Sequence, residues 1–351
     1  MITQLIHKDN NVVKFENVQI LNFTRTQNQE IFVVDNKHIS VYQGKHIGKH
    51  GGLKHKHDLE QVVPIDKAKV GNYYYWYSKP LHNYYHMVLD SIGHLTWYLD
   101  LKKQIPDLKL LLNGRPQPKY ALKDYPPFVH EFLDLMEIDY EYTDENTMYM
   151  NVYYGKNLGM DHRGVRKRPD DIQYNLLKNI IQRSHKKTTA PVIDKIYLSR
   201  RAHANPLANR SAIMGEDNTV KRGLANEDQI VKILQNAGFT EVFGENYTFP
   251  EKVVLFNQMS KYITTAGAGV TNILWTMPRK VSVGGIHTPG FPFFDPNCKR
   301  HICANKNYIK CNISVYPGDV EFIDPEKGKK NYNNPWRVKD LEIFERWANT
   351  I

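Results

Sequence analysis

Tyr262-Ile263-Thr264-Thr265-Ala266-Gly267-Ala268-Gly269-Val270-Thr271-Asn272-Ile273-Leu274-Trp275 runs from a β-branched apolar segment through a pair of glycines into a second apolar segment. That order predicts a buried strand over 262–265, a tight turn, and a helix over 270–275. Glycines let a backbone approach a phosphate, and free N–H groups at a helix start bind anions. The third glycine of the dinucleotide fingerprint is missing, and a plain strand-to-helix turn explains a lone Gly-x-Gly equally well. Its weight comes from its surroundings.

Outward from this stretch, strands are expected at Lys195 to Ser199, Glu241 to Phe243 and Lys280 to Val283, with helices at Asn226 to Ala237 and Pro250 to Gln258. Alternating strands and helices imply a parallel, doubly wound sheet. In the helix at 226, Asn226 can cap, Gln229 can close a capping box, and Gly238 can end the element. The polar stretch Lys186 to Pro191 reads as a linker. It divides the chain into residues 1–187, residues 188–335 and a final amphipathic helix within 336–351, spanning Trp336 to Trp347.

The first seventy residues read as short strands, Val12 to Phe15, Ile31 to Val34 and Ile39 to Tyr42, and suggest a β-rich cap. After Pro80 the period changes: Tyr85, Val88, Leu89, Ile92 and Leu95 fall three or four apart, as on a buried helix face. Further on, Leu108 to Leu112 reads as a buried strand, Val129 to Ile138 as a helix, Tyr140 to Tyr142 and Val152 to Tyr154 as strands, and Asp170 to His185 as a helix with Ile172, Leu176, Leu177, Ile180 and Ile181 apolar. The first half is therefore α/β too.

At 351 residues and 41% hydrophobic content the chain has material for two cores. No stretch is long and apolar enough to span a bilayer, and the N-terminus lacks a basic-then-apolar leader, so a soluble, cytoplasmic protein is expected. Cys298, Cys303 and Cys311 are an odd set that fits buried thiols in a reducing compartment, and Cys298-x-x-His301-x-Cys303 matches no standard zinc spacing. A formal charge of +10 favours anionic partners. The basic runs Lys54 to His57, Arg163 to Arg168 and Lys327 to Lys330 read as solvated loops, which argues against a nucleic-acid module.

Two polar constellations could carry chemistry. His82, His86, Asp90 and His94 recur at four-residue intervals, so several share a helix face opposite the apolar stripe. A carboxylate beside imidazoles can act as a general base, although solvated surface histidines or a metal site fit the same spacing. The second is Ser199-Arg200-Arg201 at a strand exit, with Arg222 before Asn226-Glu227. Arginines at strand ends of an open α/β sheet face the ligand crevice and suit phosphate oxygens.

Taken together, Ile196 to Arg201, Arg222-x-x-x-Asn226-Glu227, Gly238-Phe239 and Ala266 to Asn272 resemble, in order and spacing, the C-terminal half of glycosyltransferase family 61. That family includes plant xylan arabinosyl- and xylosyltransferases and animal O-linked N-acetylglucosaminyltransferases. Upstream, Asn83-Tyr84-Tyr85-His86-Met87-Val88-Leu89-Asp90 resembles its N-terminal signature, a His and an Asp four apart. The resemblance implies a GT-B fold of two Rossmann-like domains facing a cleft, a UDP-sugar donor, a glycan or glycoconjugate acceptor, inversion, and no obligatory metal or other cofactor.

Residue by residue, it implies Arg200, Arg201 and Arg222 at the diphosphate, with Gly267, Ala268, Gly269, Thr271 and Asn272 as the donor loop. His86 and Asp90 would stand beside the acceptor, Asp90 as base, and His82, Asn83, Asn226, Glu227 and His287 would be further donor or acceptor contacts. Two positions depart from the pattern. Ala266 stands where the family usually has His, and Gly284-Gly285-Ile286-His287 where an acid commonly follows the next strand to hold the ribose. A non-catalytic nucleotide- or glycan-binding protein is the main alternative, followed by a metal-dependent hydrolase using His82, His86 and Asp90.

Overall fold

The computed structural model describes residues 2–3, 12–21, 30–34, 37–41, 64–76, 81, 83–113, 125–155, 171–201, 223–289, 308–330 and 334–351. The chain divides into two compact units, Met1–Leu176 and Leu177–Ile351.

Strands β1 (Ile2–Thr3), β2 (Val12–Leu21), β3 (Glu30–Val34), β4 (Lys37–Val41), β5 (Lys67–Tyr75), β6 (Lys109–Leu112), β7 (Tyr140–Tyr142) and β8 (Thr147–Gly155) form the sheet of the first unit. Its order is β4-β3-β2-β8-β5-β6-β7, with β1 paired to β2. β8, β5, β6 and β7 are mutually parallel, and β2 joins β8 antiparallel, with Phe15 opposite Val152. The N-terminal strands expected as a β-rich cap are part of this sheet. The reason is burial: Phe15, Val18 and Ile20 pack with Tyr73, Tyr75, Leu111, Tyr149, Val152 and Tyr154, and a short strand cluster has no core of its own to offer them.

Residues 84–104 form one irregular helix, α1: an α-helical turn Tyr84–His86, a π turn Met87–Ser91, a 3₁₀ turn Ile92–His94, and a regular stretch Leu95–Gln104. Met87, Val88, Leu89, Ser91, Ile92, Gly93, His94 and Leu95 are all buried, so these residues belong to the core of the unit, the polar Ser91 and His94 included. α2 (Pro127–Leu135) follows, with Val129, Phe132 and Leu133 inward. α3 (Asp171–Lys187) carries the division between the units within it and buries Leu176, Leu177, Ile180 and Ile181. Ile172, expected on that face, is exposed.

The second unit has a five-stranded sheet of β9 (Lys195–Leu198), β10 (Thr240–Val242), β11 (Lys261–Thr265), β12 (Lys280–Ile286) and β13 (Lys310–Val315), ordered β10-β9-β11-β12-β13. All its pairings are parallel. α4 (Glu227–Asn236) and α5 (Phe249–Gln258) alternate with the strands as expected. Gly238, at φ +83, ends α4 in the left-handed conformation that favours glycine. α5 is closed at its start by a capping box of Thr248 and Glu251.

Three expectations are corrected here. Asn226 stands at the N-cap of α4 but its side chain makes no capping bond; its amide donates to the Val338 carbonyl at 2.9 Å and accepts from the Val338 N–H at 3.2 Å. The residues expected as a helix from Trp336 begin as β15 (Trp336–Val338), antiparallel to β14 (Val320–Phe322). Helix α7 (Leu341–Ala348) starts only after Asp340, whose carboxylate accepts the Ile343 N–H at 2.9 Å. Lys327 to Lys330 belong to a short helix, α6 (Pro325–Lys330), instead of a loop. The runs Lys54 to His57 and Arg163 to Arg168 lie outside the described residues.

No helix among the described residues is long and apolar enough to cross a membrane. Cys311, expected as a thiol, is disulfide-bonded, while Cys298, His301 and Cys303 lie outside the described residues. An odd count does not exclude a pair, so the reducing compartment read from the cysteines loses its basis. Alkylation under denaturing, non-reducing conditions should label one of the three cysteines per chain, and all three after reduction. Three labels without reductant would rule the bridge out.

Candidate functional site

In the second unit the strand order reverses direction between β9 and β11. Numbered along the sheet, this is the doubly wound order 2-1-3-4-5, whose ligand crevice opens at the carboxyl ends of the strands flanking the reversal. Two of the sequence constellations end there together. Thr264 lies opposite Leu198, so Ser199-Arg200-Arg201 leaves β9 beside the point where Ala266-Gly267-Ala268 leaves β11.

The β9 exit is organised by one carboxylate. Glu227, the first residue of α4, is 3% exposed, and its Oε1 accepts from the Tyr197 hydroxyl at 2.7 Å, the Ser199 hydroxyl at 2.8 Å and the Arg200 N–H at 3.0 Å. A buried carboxylate is tolerated only with such donors, and the helix N-terminus adds a favourable field. Burial and the Glu227 charge together push the Tyr197 hydroxyl well above the usual tyrosine range, which keeps it a donor.

The two adjacent arginines are used differently. Arg201 is tied down: its Nε donates to Glu241 Oε1 at 2.8 Å, and its terminal nitrogens pair with Glu241 and Asp228. Its backbone N–H donates to the Ser199 hydroxyl at 3.1 Å. The clamp joins β9, β10 and α4, and Arg200 beside it is half-buried. Arg222 lies outside the described residues.

The β11 exit passes through Gly267 into the 3₁₀ helix Ala268–Thr276. The sequence suggests an α-helix, but the hydroxyls of Thr271 and Thr276 donate three residues back, to Ala268 at 2.7 Å and Ile273 at 2.8 Å, which favours the tighter winding. Gly269 has a packing reason: a Cβ there would run into Leu198 and lie 3.3 Å from both Thr264 Oγ1 and the Tyr262 hydroxyl. That hydroxyl donates to the Gly269 carbonyl at 2.8 Å. Thr271 and Asn272 are buried, and Ala268 and Gly269 are the half-buried, partly accessible residues of this loop.

Gly284, in the stretch that departs from the family pattern, also has a packing reason. Gly284 is inside β12, and a Cβ on it would lie 2.8 Å from Ile263 and 3.0 Å from the Trp347 ring. No side chain of any charge fits there. β12 ends at Ile286, so the positions that leave this strand are His287 and Thr288.

In the first unit, Asn83 caps α1, accepting the Tyr85 N–H at 3.0 Å. His86 is half-buried, edge-on to the Tyr85 ring at 5.3 Å. Asp90 lies in the π turn; such turns cluster at functional sites because an extra residue re-aims those around it. His82 lies outside the described residues. His94, expected on the polar stripe, is a core residue: it is fully buried, and burial lowers its imidazole to about 4, so it is neutral. Among the described residues, no group of three His, Cys, Asp or Glu could hold a metal ion.

A parallel sheet of this order, with Gly267, Gly269 and the Arg200–Arg201 pair at its switch point, defines a doubly wound α/β unit. The family model for Glycosyltransferase 61 matches residues 84–283, more than half of the chain, from the start of α1 to β12. The chain belongs to glycosyltransferase family 61. No curated protein matches it.

Proposed function

We propose that this glycosyltransferase is an inverting, metal-independent enzyme of the GT-B type that transfers a xylose-, arabinose- or N-acetylglucosamine-type sugar from UDP to a glycan or glycoconjugate hydroxyl. The observation that carries the donor side is the meeting of the β9 and β11 exits at the switch point, where Arg200 and the Gly267 to Gly269 backbone stand together. Arg200, with Arg222, neutralises the charge that grows on the diphosphate as the sugar–oxygen bond breaks, the work a metal would otherwise do. Arg201 contributes by holding the turn.

In the acceptor half, Asp90 takes the proton from the acceptor hydroxyl, the oxygen attacks the anomeric carbon from the face opposite UDP, and UDP leaves with the bonding pair. His86 and Asn83 stand close to Asp90 in the chain and complete this end of the site, while His287 and Glu227 flank the donor end. Cytoplasmic polysaccharide assembly is the setting first inferred from the sequence, and the cysteine labelling above bears on it.

The test is UDP release from a panel of UDP- and GDP-sugars, with and without EDTA. Release from one donor, insensitive to EDTA, is the expected result and identifies the sugar. UDP binding without release from any donor, even with acceptor glycans, would favour the non-catalytic reading. Arg200→Ala should weaken UDP binding by about 1.5–3 kcal/mol, the worth of a hydrogen bond to a charged group. Unchanged affinity by calorimetry removes Arg200 from the diphosphate site.

A further inference from the structure

We infer that Glu227 is a positioning residue for the donor, acting through the backbone at Arg200 without touching the ligand. The inference rests on the donor reading above. Its ground is the concentration of three donors on one oxygen: a hydroxyl from within β9, a hydroxyl from the first residue past β9, and the N–H of Arg200 all meet Glu227 Oε1. Because the Arg201 N–H in turn donates to the Ser199 hydroxyl, three consecutive residues of the turn are tied into one chain of hydrogen bonds ending on that oxygen.

The Ser199 N–H goes to the Val242 carbonyl at 3.0 Å and anchors the last strand position, one residue earlier. Without Glu227, the turn would keep its strand but lose the acceptor that orients the Arg200 peptide, leaving two buried hydroxyls and an N–H to find other partners. Preorganisation of this kind changes affinity by sparing the ligand the cost of ordering the loop.

The chemistry also separates position from charge. Among the described residues Oε2 receives no hydrogen bond, so a glutamine can keep its carbonyl at the Oε1 position and place its NH₂ where no donor is displaced. A glutamine should therefore rescue most of what an alanine loses. A carboxylate that bound a ligand hydroxyl directly, or served by its charge, would show no such rescue.

UDP titration calorimetry on the full chain tests this with Glu227→Ala, Glu227→Gln and Ser199→Ala, each checked by circular dichroism. Affinity should fall about tenfold in Glu227→Ala, equivalent to about 1.4 kcal/mol, and stay within about threefold of wild type in Glu227→Gln. Ser199→Ala, which removes one donor and the Arg201 tie, should fall in between. Wild-type affinity in Glu227→Ala overturns the inference, and so does a Glu227→Gln variant as weak as the alanine. If the alanine variant does not fold, Glu227→Gln and Ser199→Ala decide: near-normal affinity in the first with a reduced one in the second supports positioning, and an unchanged Ser199→Ala overturns it. A wild-type chain that does not bind UDP fails the donor reading itself, and the inference falls with it.

Discussion

Asp90→Asn should reduce sugar transfer on the order of 10²- to 10⁴-fold, the range for losing a general base, with UDP affinity left near wild type. The two readouts separate because Asp90 belongs to the first unit, and the elements proposed to bind UDP belong to the second. An asparagine keeps size and polarity but cannot accept a proton, so folding should be preserved. Initial-rate assays with donor saturated and acceptor varied would show the loss in kcat. Transfer at wild-type rate would remove Asp90 from the mechanism and turn attention to His86.

The second large effect is on stability. Trp347→Ala should destabilise the second unit by about 3–5 kcal/mol, as for other buried Trp truncations, and lower its melting temperature by roughly 10 °C. Trp347 is 6% exposed, lies 5.4 Å from the Phe344 ring and 5.6 Å from the Tyr316 ring, and donates its indole N–H to Ser314 at 2.9 Å. Truncation leaves a cavity and an orphaned serine together. Calorimetric or circular-dichroism melts would show it, and an unshifted transition would mean that α7 is not part of the core.

Much of the second unit was legible because a strand of a parallel sheet is buried on both faces and reads as an apolar run. β9, β11 and β12 stand out for that reason, and Gly238 marks its helix end through a backbone need that sequence displays directly. β13 did not stand out: Lys310 to Val315 is only partly buried and alternates polar with apolar, as an edge strand may. β14 and β15 are three residues each, too short for any period.

At the site, the residue types and their order were readable, and their engagements were not. Arg200 and Arg201 are equivalent as letters; what separates them is Glu241, forty positions away, which sheet pairing brings to Arg201. Glu227 was legible only as a motif letter, because its three donors converge through the β9–α4 packing. The four-residue spacing that set His94 beside Asp90 assumed an unbroken α-helix, and one π turn followed by a 3₁₀ turn places His94 in the core.

The fit of Gly284 against Trp347 also constrains how this chain could change over evolutionary time. Position 284 cannot gain a side chain by a single substitution, since Ile263 and the Trp347 indole occupy its space. Both neighbours would have to give way first, the indole at the stability cost just described. The positions are thus linked by sign epistasis: a larger residue at 284 and a smaller one at 347 are each harmful alone, and the direct route between the two states crosses a valley.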